Sequence, residues 1–104
     1  RRQGRSRGMI RHAVLFKFKP GFPEADKAAW IEGLDRMQGA IPGLLRLTHG
    51  PDVLQQERSF HYAIVADFAT VEDLAVYDTH PCHEPLKKFS FPNSEQIIAV
   101  DFHL

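Results

Sequence analysis

From Met9 to Phe18 the side chains sort by parity into Ile10, His12, Val14, Phe16 and Phe18 on one side and Met9, Arg11, Ala13, Leu15 and Lys17 on the other. This is the two-residue period of a β-strand, with one side apolar except at His12. The following KPGFPEAD places Pro20, Gly21 and Pro23 in a turn and acidic residues where a helix starts, because exposed N–H groups there attract negative charge. A helix is predicted from near Pro23. Trp30, Ile31, Leu34, Met37 and Ile41 recur at helical spacing opposite Glu32, Asp35, Arg36 and Gln38, and Gly39 and Pro42 end the pattern. Leu45 to Gly50 reads as a second strand and 52–59 as a polar loop. FHYAIVADF restores the two-residue period as a third strand, with Phe60, Tyr62, Ile64, Ala66 and Phe68 on one side. TVEDLAVYDTH predicts a helix capped by Thr70, interrupted at Pro81, where a further helical segment starts and runs through Phe89. After Pro92, QIIAVDFHL supplies the last strand.

The order β-α-β-β-α-β in one domain predicts an α+β fold of the ferredoxin-like kind, a four-stranded antiparallel sheet with both helices on one face. Both strand parities are apolar, however. Val14, Phe16, Ile64 and Phe68 share one, Ala13, Leu15, Ala63 and Val65 the other, and Ile98, Val100 and Phe102 add an apolar set. Two helices cover one face only, and soluble monomers rarely leave an apolar patch of that size exposed. A second copy is therefore expected to pack its sheet on the first, giving a homodimer through the sheet face.

With 104 residues, 43% of them hydrophobic, the chain suits one domain that has its own core and gains from burial in an oligomer. Lys plus Arg and Asp plus Glu each number 13, so no net field draws it to nucleic acid or an anionic membrane, and neither is expected as a partner. The single cysteine, Cys82, can form no internal disulfide, and no apolar run approaches the roughly 20 residues that span a bilayer. A soluble cytoplasmic protein is the expectation. RRQGRSRG, residues 1–8, holds four arginines and no apolar side chain, and reads as a disordered basic extension before a domain at 9–104 that starts naturally at Met9.

Candidate chemistry concentrates in YDTHPCHEPLKKF, Tyr77 to Phe89. Enolisation needs a base of suitable pKa and a donor that steadies the enolate oxygen, and an imidazole with a phenol supplies both, which singles out His83 and Tyr77. Six residues apart across a proline, they meet only if the kink at His80–Pro81 brings them together. The competing reading makes both of them amphipathic cover for the sheet, satisfied by hydrogen bonds. His12 is either a satisfied core residue or a contact to a ligand. Asp101, on the parity of Ile97 and Ala99, can orient His83 or His12. His80, Cys82 and His83, with His61, bring zinc to mind, but their spacing matches no closed site and no second cysteine exists, so neither metal nor cofactor is expected. Cys82 reads instead as a small buried hydrophobe and His80 as part of the helix junction, while His49, His61 and His103 carry no role. Trp30, Leu34 and Met37 are core residues that can also line a small cavity. Phosphate loops, Ser-His-Asp order and paired carboxylates are missing from the sequence.

MIRHAVLFKFKPG, IPGLLRLTHGPDV, AVYDTHPCHEPL and the terminal IIAVDF resemble, in order and across nearly the whole chain from Met9, the stress-responsive dimeric α/β-barrel family. The resemblance implies a ferredoxin-like fold whose two sheets close into a barrel across a dimer. A plant member of that family is an aldol-type cyclase that works with a tyrosine and a histidine in a Tyr-x-x-His-Pro-x-His segment. The matching positions are Tyr77 and His83, while its first-strand histidine matches His12 and an aspartate near its end matches Asp101. Two positions depart from that pattern, with Tyr62 in place of a third-strand histidine and Leu34 in place of a tyrosine in the first helix.

The expected site is a cavity between sheet and helices, with His83 and Tyr77 catalytic and His12, Tyr62, Trp30, Leu34 and Asp101 contacting the substrate. Its chemistry would be cofactor-free acid/base catalysis, cyclase or lyase in type, on a small apolar carbonyl or polyketide-like ligand. The alternative is a non-catalytic stress-related stability or ligand-binding protein with structural histidines. A cofactor-free monooxygenase has only fold analogy behind it.

Overall fold

The computed structural model describes residues 8–104, so the expectation of a basic extension over 1–8 lies, except at Gly8, outside the described residues. The elements follow as β1 (Ile10–Phe18), α1 (Glu24–Met37), β2 (Leu44–Pro51), β3 (Tyr62–Phe68) and α2 (Val71–Asp78). A 3-10 turn (Glu84–Leu86) then runs into the short helix α3 (Lys87–Ser90), and β4 (Ser94–His103) closes the chain. The strands form one antiparallel sheet in the order β2-β3-β1-β4, a ferredoxin-like α+β fold.

Register decides which residues share a face. His12, Val14 and Phe16 of β1 lie opposite Ala66, Ile64 and Tyr62 of β3 and Asp101, Ala99 and Ile97 of β4, and all of these point to the helix side. Ala13 and Leu15 pair with Val65 and Ala63 and with Val100 and Ile98 on the opposite face. The helix side is the core, where Trp30, Leu34, Met37 and Phe68 are almost completely buried. An indole buries about 200 Å², so at about 25 cal/mol per Å² Trp30 alone contributes on the order of 5 kcal/mol as an upper bound. Thr70 caps α2 as its sequence suggests, its hydroxyl oxygen accepting the Asp73 N–H at 3.1 Å.

Five local expectations are corrected. The first helix stops at Met37, where Gln38 is extended (ψ 127°) and Gly39, the expected terminator, has φ +87°, a left-handed conformation that glycine adopts without strain, so that Ile41 lies beyond the helix face to which its spacing assigned it. Ile41 enters the core from the loop, and Gln38, instead of facing solvent, accepts the Leu47 N–H at 2.8 Å. The third strand begins at Tyr62 rather than Phe60. Pro81 does not start a helix, since residues 81–83 fold around the carbonyl of His80, which accepts the N–H groups of His83 (2.8 Å) and Glu84 (2.9 Å). Pro85 occupies the first turn of the helical segment, where its missing N–H costs nothing. Cys82 rides on that turn and is exposed, not buried.

Candidate functional site

Between the sheet and the helices lies a cavity of about 190 Å³. Its floor is the inward parity of the strands, with His12, Val14 and Phe16 from β1, Ile64 from β3 and Ile97 from β4. Trp30 and Leu34 of α1 wall one side. The end of α2 contributes Tyr77 and Asp78, and the segment after Pro81 adds His83, Leu86, Lys87, Ser90 and Phe91. The space equals that of about six water molecules in the liquid, below the range of about 300 Å³ upward for drug-sized ligands. It suits a molecule of one-ring size.

The turn after Pro81 folds His83 back onto Tyr77, so that the two rings stack with centroids 4.1 Å apart and planes 18° from parallel. His83 Nδ1 lies 3.1 Å from the carbonyl oxygens of both Tyr77 and Asp78. Carbonyls only accept, so Nδ1 carries the proton, and Nε2 of the neutral ring keeps its lone pair. Both carbonyls lie at the C-terminal end of α2, and that of Tyr77 also accepts the His80 N–H at 3.1 Å. Burial holds His83 below the ordinary imidazole value, with the Lys87 charge acting the same way, against the two carbonyls and the Asp78 charge. At neutral pH the ring is therefore a base without its proton. Tyr77 is almost fully buried, and burial, aided by the Asp78 charge, pushes its phenol up to about 12. Its hydroxyl forms no hydrogen bond among the described residues, and Tyr77 lines the cavity.

His12 lies on the cavity floor, its Nδ1 bonded to the Asp101 carboxylate directly across the β1–β4 pairing. Its ring meets Tyr77 edge-on at 5.9 Å. Of the two histidines that Asp101 could orient, the register selects His12. Two imidazoles thus share the cavity, each anchored through Nδ1.

Tyr62 departs from the expected site. It lies beyond Trp30, ring centroids 5.0 Å apart, and does not line the cavity. Paired with Phe16 near the strand end, it donates its hydroxyl to His49 Nδ1 (2.7 Å), and His49 Nε2–H donates to Asp35 (2.6 Å). This Asp35–His49–Tyr62 chain ties α1 to β2 and β3, and no spacing rule in the sequence could show it, because its members meet only through register. His61 Nδ1 accepts the Phe18 N–H at 2.9 Å, and His80 Nδ1 accepts the Cys82 N–H at 3.0 Å within the helix junction. Among the described residues no three His, Cys, Asp or Glu side chains gather as metal ligands would.

The sequence pattern of the Stress Responsive A/B Barrel Domain matches residues 10–104, all four strands included. The chain belongs to that family. It is 28% identical over 76 residues to olivetolic acid cyclase of Cannabis sativa, covering 71% of this chain and 75% of the cyclase. A dimeric ferredoxin-like protein of unknown function from Thermobifida fusca superposes with a TM-score of 0.84 at 27% identity, over 93% of this chain and 92% of that one. The fold also matches the hydroxynitrile lyase of Passiflora edulis, with a TM-score of 0.80 at 20% identity over 94% of each chain.

Proposed function

We propose that this A/B barrel protein binds a small carbonyl compound in the cavity and catalyses cofactor-free proton transfer on it, chemistry of cyclase or lyase type. The observation that carries this reading is the stacked pair of His83 and Tyr77, one ring kept neutral with Nε2 free and the other kept protonated, on the wall of a cavity of about 190 Å³. In the step that follows, Nε2 of His83 takes a proton from the carbon next to the carbonyl. The C–H electron pair moves into the new C=C bond, and the carbonyl π pair moves to oxygen. The Tyr77 hydroxyl, with its proton otherwise unused, donates to that oxygen as charge builds. The enolate then attacks a second carbonyl within the same molecule or expels a leaving group, and the imidazolium returns its proton. The 28% identity to a cyclase supports the assignment. His12, fixed by Asp101, presents Nε2 to the ligand from the floor, and Trp30 and Leu34 give the apolar contact.

The same reading makes the protein a homodimer through the helix-free face, its two sheets closing a barrel. Leu15, Ile98, Val100 and Phe102 are exposed there, and the fold relative from Thermobifida fusca is a dimer. Arg11 pairs with Asp67 through two hydrogen bonds of 2.7 and 2.9 Å at one end of this face.

The test is substrate-independent. Small aryl ketones and β-dicarbonyl compounds are incubated with the protein in D2O, and NMR follows deuterium entering next to the carbonyl. Exchange faster than buffer in wild type, abolished in His83→Gln with unchanged melting temperature, supports the reading. Binding without exchange favours the non-catalytic ligand-binding alternative, and neither binding nor exchange across the panel overturns the proposal.

A further inference from the structure

Lys87 lies beside the cavity with its ammonium turned to the end of α2. Its Nζ donates to the Asp78 carbonyl at 2.8 Å and sits 3.3 Å from the Asp78 carboxylate and 2.9 Å from that of Glu84. The Asp78 carbonyl is also one of the two acceptors that hold His83 Nδ1. One carbonyl therefore joins a lysine on α3 to the imidazole on the turn before it. Without Lys87 this carbonyl, at a fraying helix end, would have the histidine and water as its only partners.

We propose that Lys87 is a positioning residue for His83, fixing the carbonyl from which the imidazole hangs and setting a positive charge beside the ring. Its catalytic consequence rests on the reading above; the placement itself does not. The charged and titratable groups around the ring are the Tyr77 phenol stacked on it and the Asp78 carboxylate, both on α2, Glu84 and Lys87 after the proline turn, and the His12–Asp101 pair on β1 and β4. From α1 only Trp30 and Leu34 reach the cavity, neither charged. Lys87 is thus the cation against a set of carboxylates that favour an imidazolium, and it binds two of them. The carboxylates of Asp78 and Glu84 are well exposed and Lys87 is mostly covered, which leaves the ammonium the better placed to act on the ring. Removing it takes away a charge that opposes protonation and frees two that promote it, so both effects have one sign.

The experiment is an NMR pH titration of the His83 ring in the whole chain, for wild type, Lys87→Met, Lys87→Arg and Glu84→Gln. Lys87→Met is expected to move the His83 midpoint to higher pH, and Lys87→Arg to restore it. Glu84→Gln, which unmasks the lysine at an exposed position, is expected to move the midpoint to lower pH. A folded Lys87→Met protein with the wild-type midpoint overturns the proposal. If that variant does not fold, Glu84→Gln decides, and a midpoint that stays or rises is the refuting result. Should the midpoints move as expected while no variant catalyses deuterium exchange, the positioning role stands and the proposed reaction falls.

Discussion

Replacing Tyr77 with Phe deletes one oxygen from a nearly buried ring and leaves the stacking on His83 and the contact with Phe68 in place. No described residue bonds to that hydroxyl, so its loss at neutral pH strands no partner, and the stability change is expected to stay within about 0.5 kcal/mol of zero. Alkaline solution separates the two proteins. The folded phenol titrates at about 12 and an unfolded one near 10, so the folded state holds its proton longer, and wild-type stability falls as pH climbs through that window. Linkage makes this loss on the order of 1 kcal/mol at about pH 11 and a few kcal/mol once pH exceeds both values. Tyr77→Phe lacks this loss. Tyr62, whose phenol is also raised by burial, contributes to both proteins and cancels in their difference.

Urea denaturation from about pH 7 to about pH 11.5, with ultraviolet absorbance following phenolate formation, measures this difference directly. Its expected form is a flat baseline to about pH 9.5 and then a steady gain of the variant over wild type. A difference that remains flat through pH 11.5 would refute the buried, unshared phenol, and with it the claim that Tyr77 stays a proton donor across the working range. Activity should change in the opposite sense, since removing a donor to an oxyanion commonly costs a factor of about 100 or more in rate.

His83→Gln should flatten the acid side of the stability profile: the folded imidazole lies below its unfolded value, so the stability it confers is present above about pH 6.5 and is lost as pH falls through the folded value. Denaturation at several pH values between about 7.5 and 5 checks this, and parallel slopes for the two proteins would contradict it. Gly33→Ala gains about 1 kcal/mol of helix propensity, but its Cβ would lie 2.3 Å from a methyl of Leu86 and must push that side chain toward the cavity. Stability is therefore expected to hold within about 1 kcal/mol while any cavity ligand binds at least tenfold more weakly; a full loss of fold, or unchanged affinity by calorimetry, counts against the packing described. Val100→Glu puts a charge on the helix-free face at a residue 59% exposed in the single chain. Light scattering should then report a monomer with intact secondary structure, and a persisting dimer would place the interface elsewhere.

The sequence made the sheet legible because strand parity is a local signal: Ile10 to Phe18 alternates with one exception, and that exception, His12, marks the cavity floor. The pair of His83 and Tyr77 was legible as a candidate through chemistry and family resemblance, while its geometry depended on how the chain folds around His80, where sequence reasoning placed a helix start and the backbone makes a turn. Tyr62 was misplaced for a different reason. Parity correctly turned it inward, but inward positions along one strand are separated by bulky neighbours, and Trp30 divides the helix side into two regions. Long-range hydrogen bonds such as Gln38 to Leu47 or His49 to Asp35 leave no periodic trace, and a polar residue that looks solvent-facing becomes a partner only once the helix has ended.

If the sheet-face dimer and the proposed cavity chemistry hold, strand β4 is the element that connects them. It is an edge strand with Ile98 and Val100 on the helix-free face and Asp101 on the other, one residue from Val100 and bonded to His12. In the single chain the Asp101 side chain is 37% exposed while His12 is 16% exposed, so the carboxylate that orients the floor imidazole is partly wetted. A twin sheet closing over Val100 and Phe102 would hold this strand against fraying and stiffen the His12–Asp101 bond without touching either residue. Dimerisation and the order of the cavity floor are then coupled through one backbone, and a variant on the outer face, such as Val100→Glu, should loosen His12 as well as separate the subunits. Broadened His12 ring signals in that monomer would carry the coupling, and a His12 as ordered as in the dimer would break it.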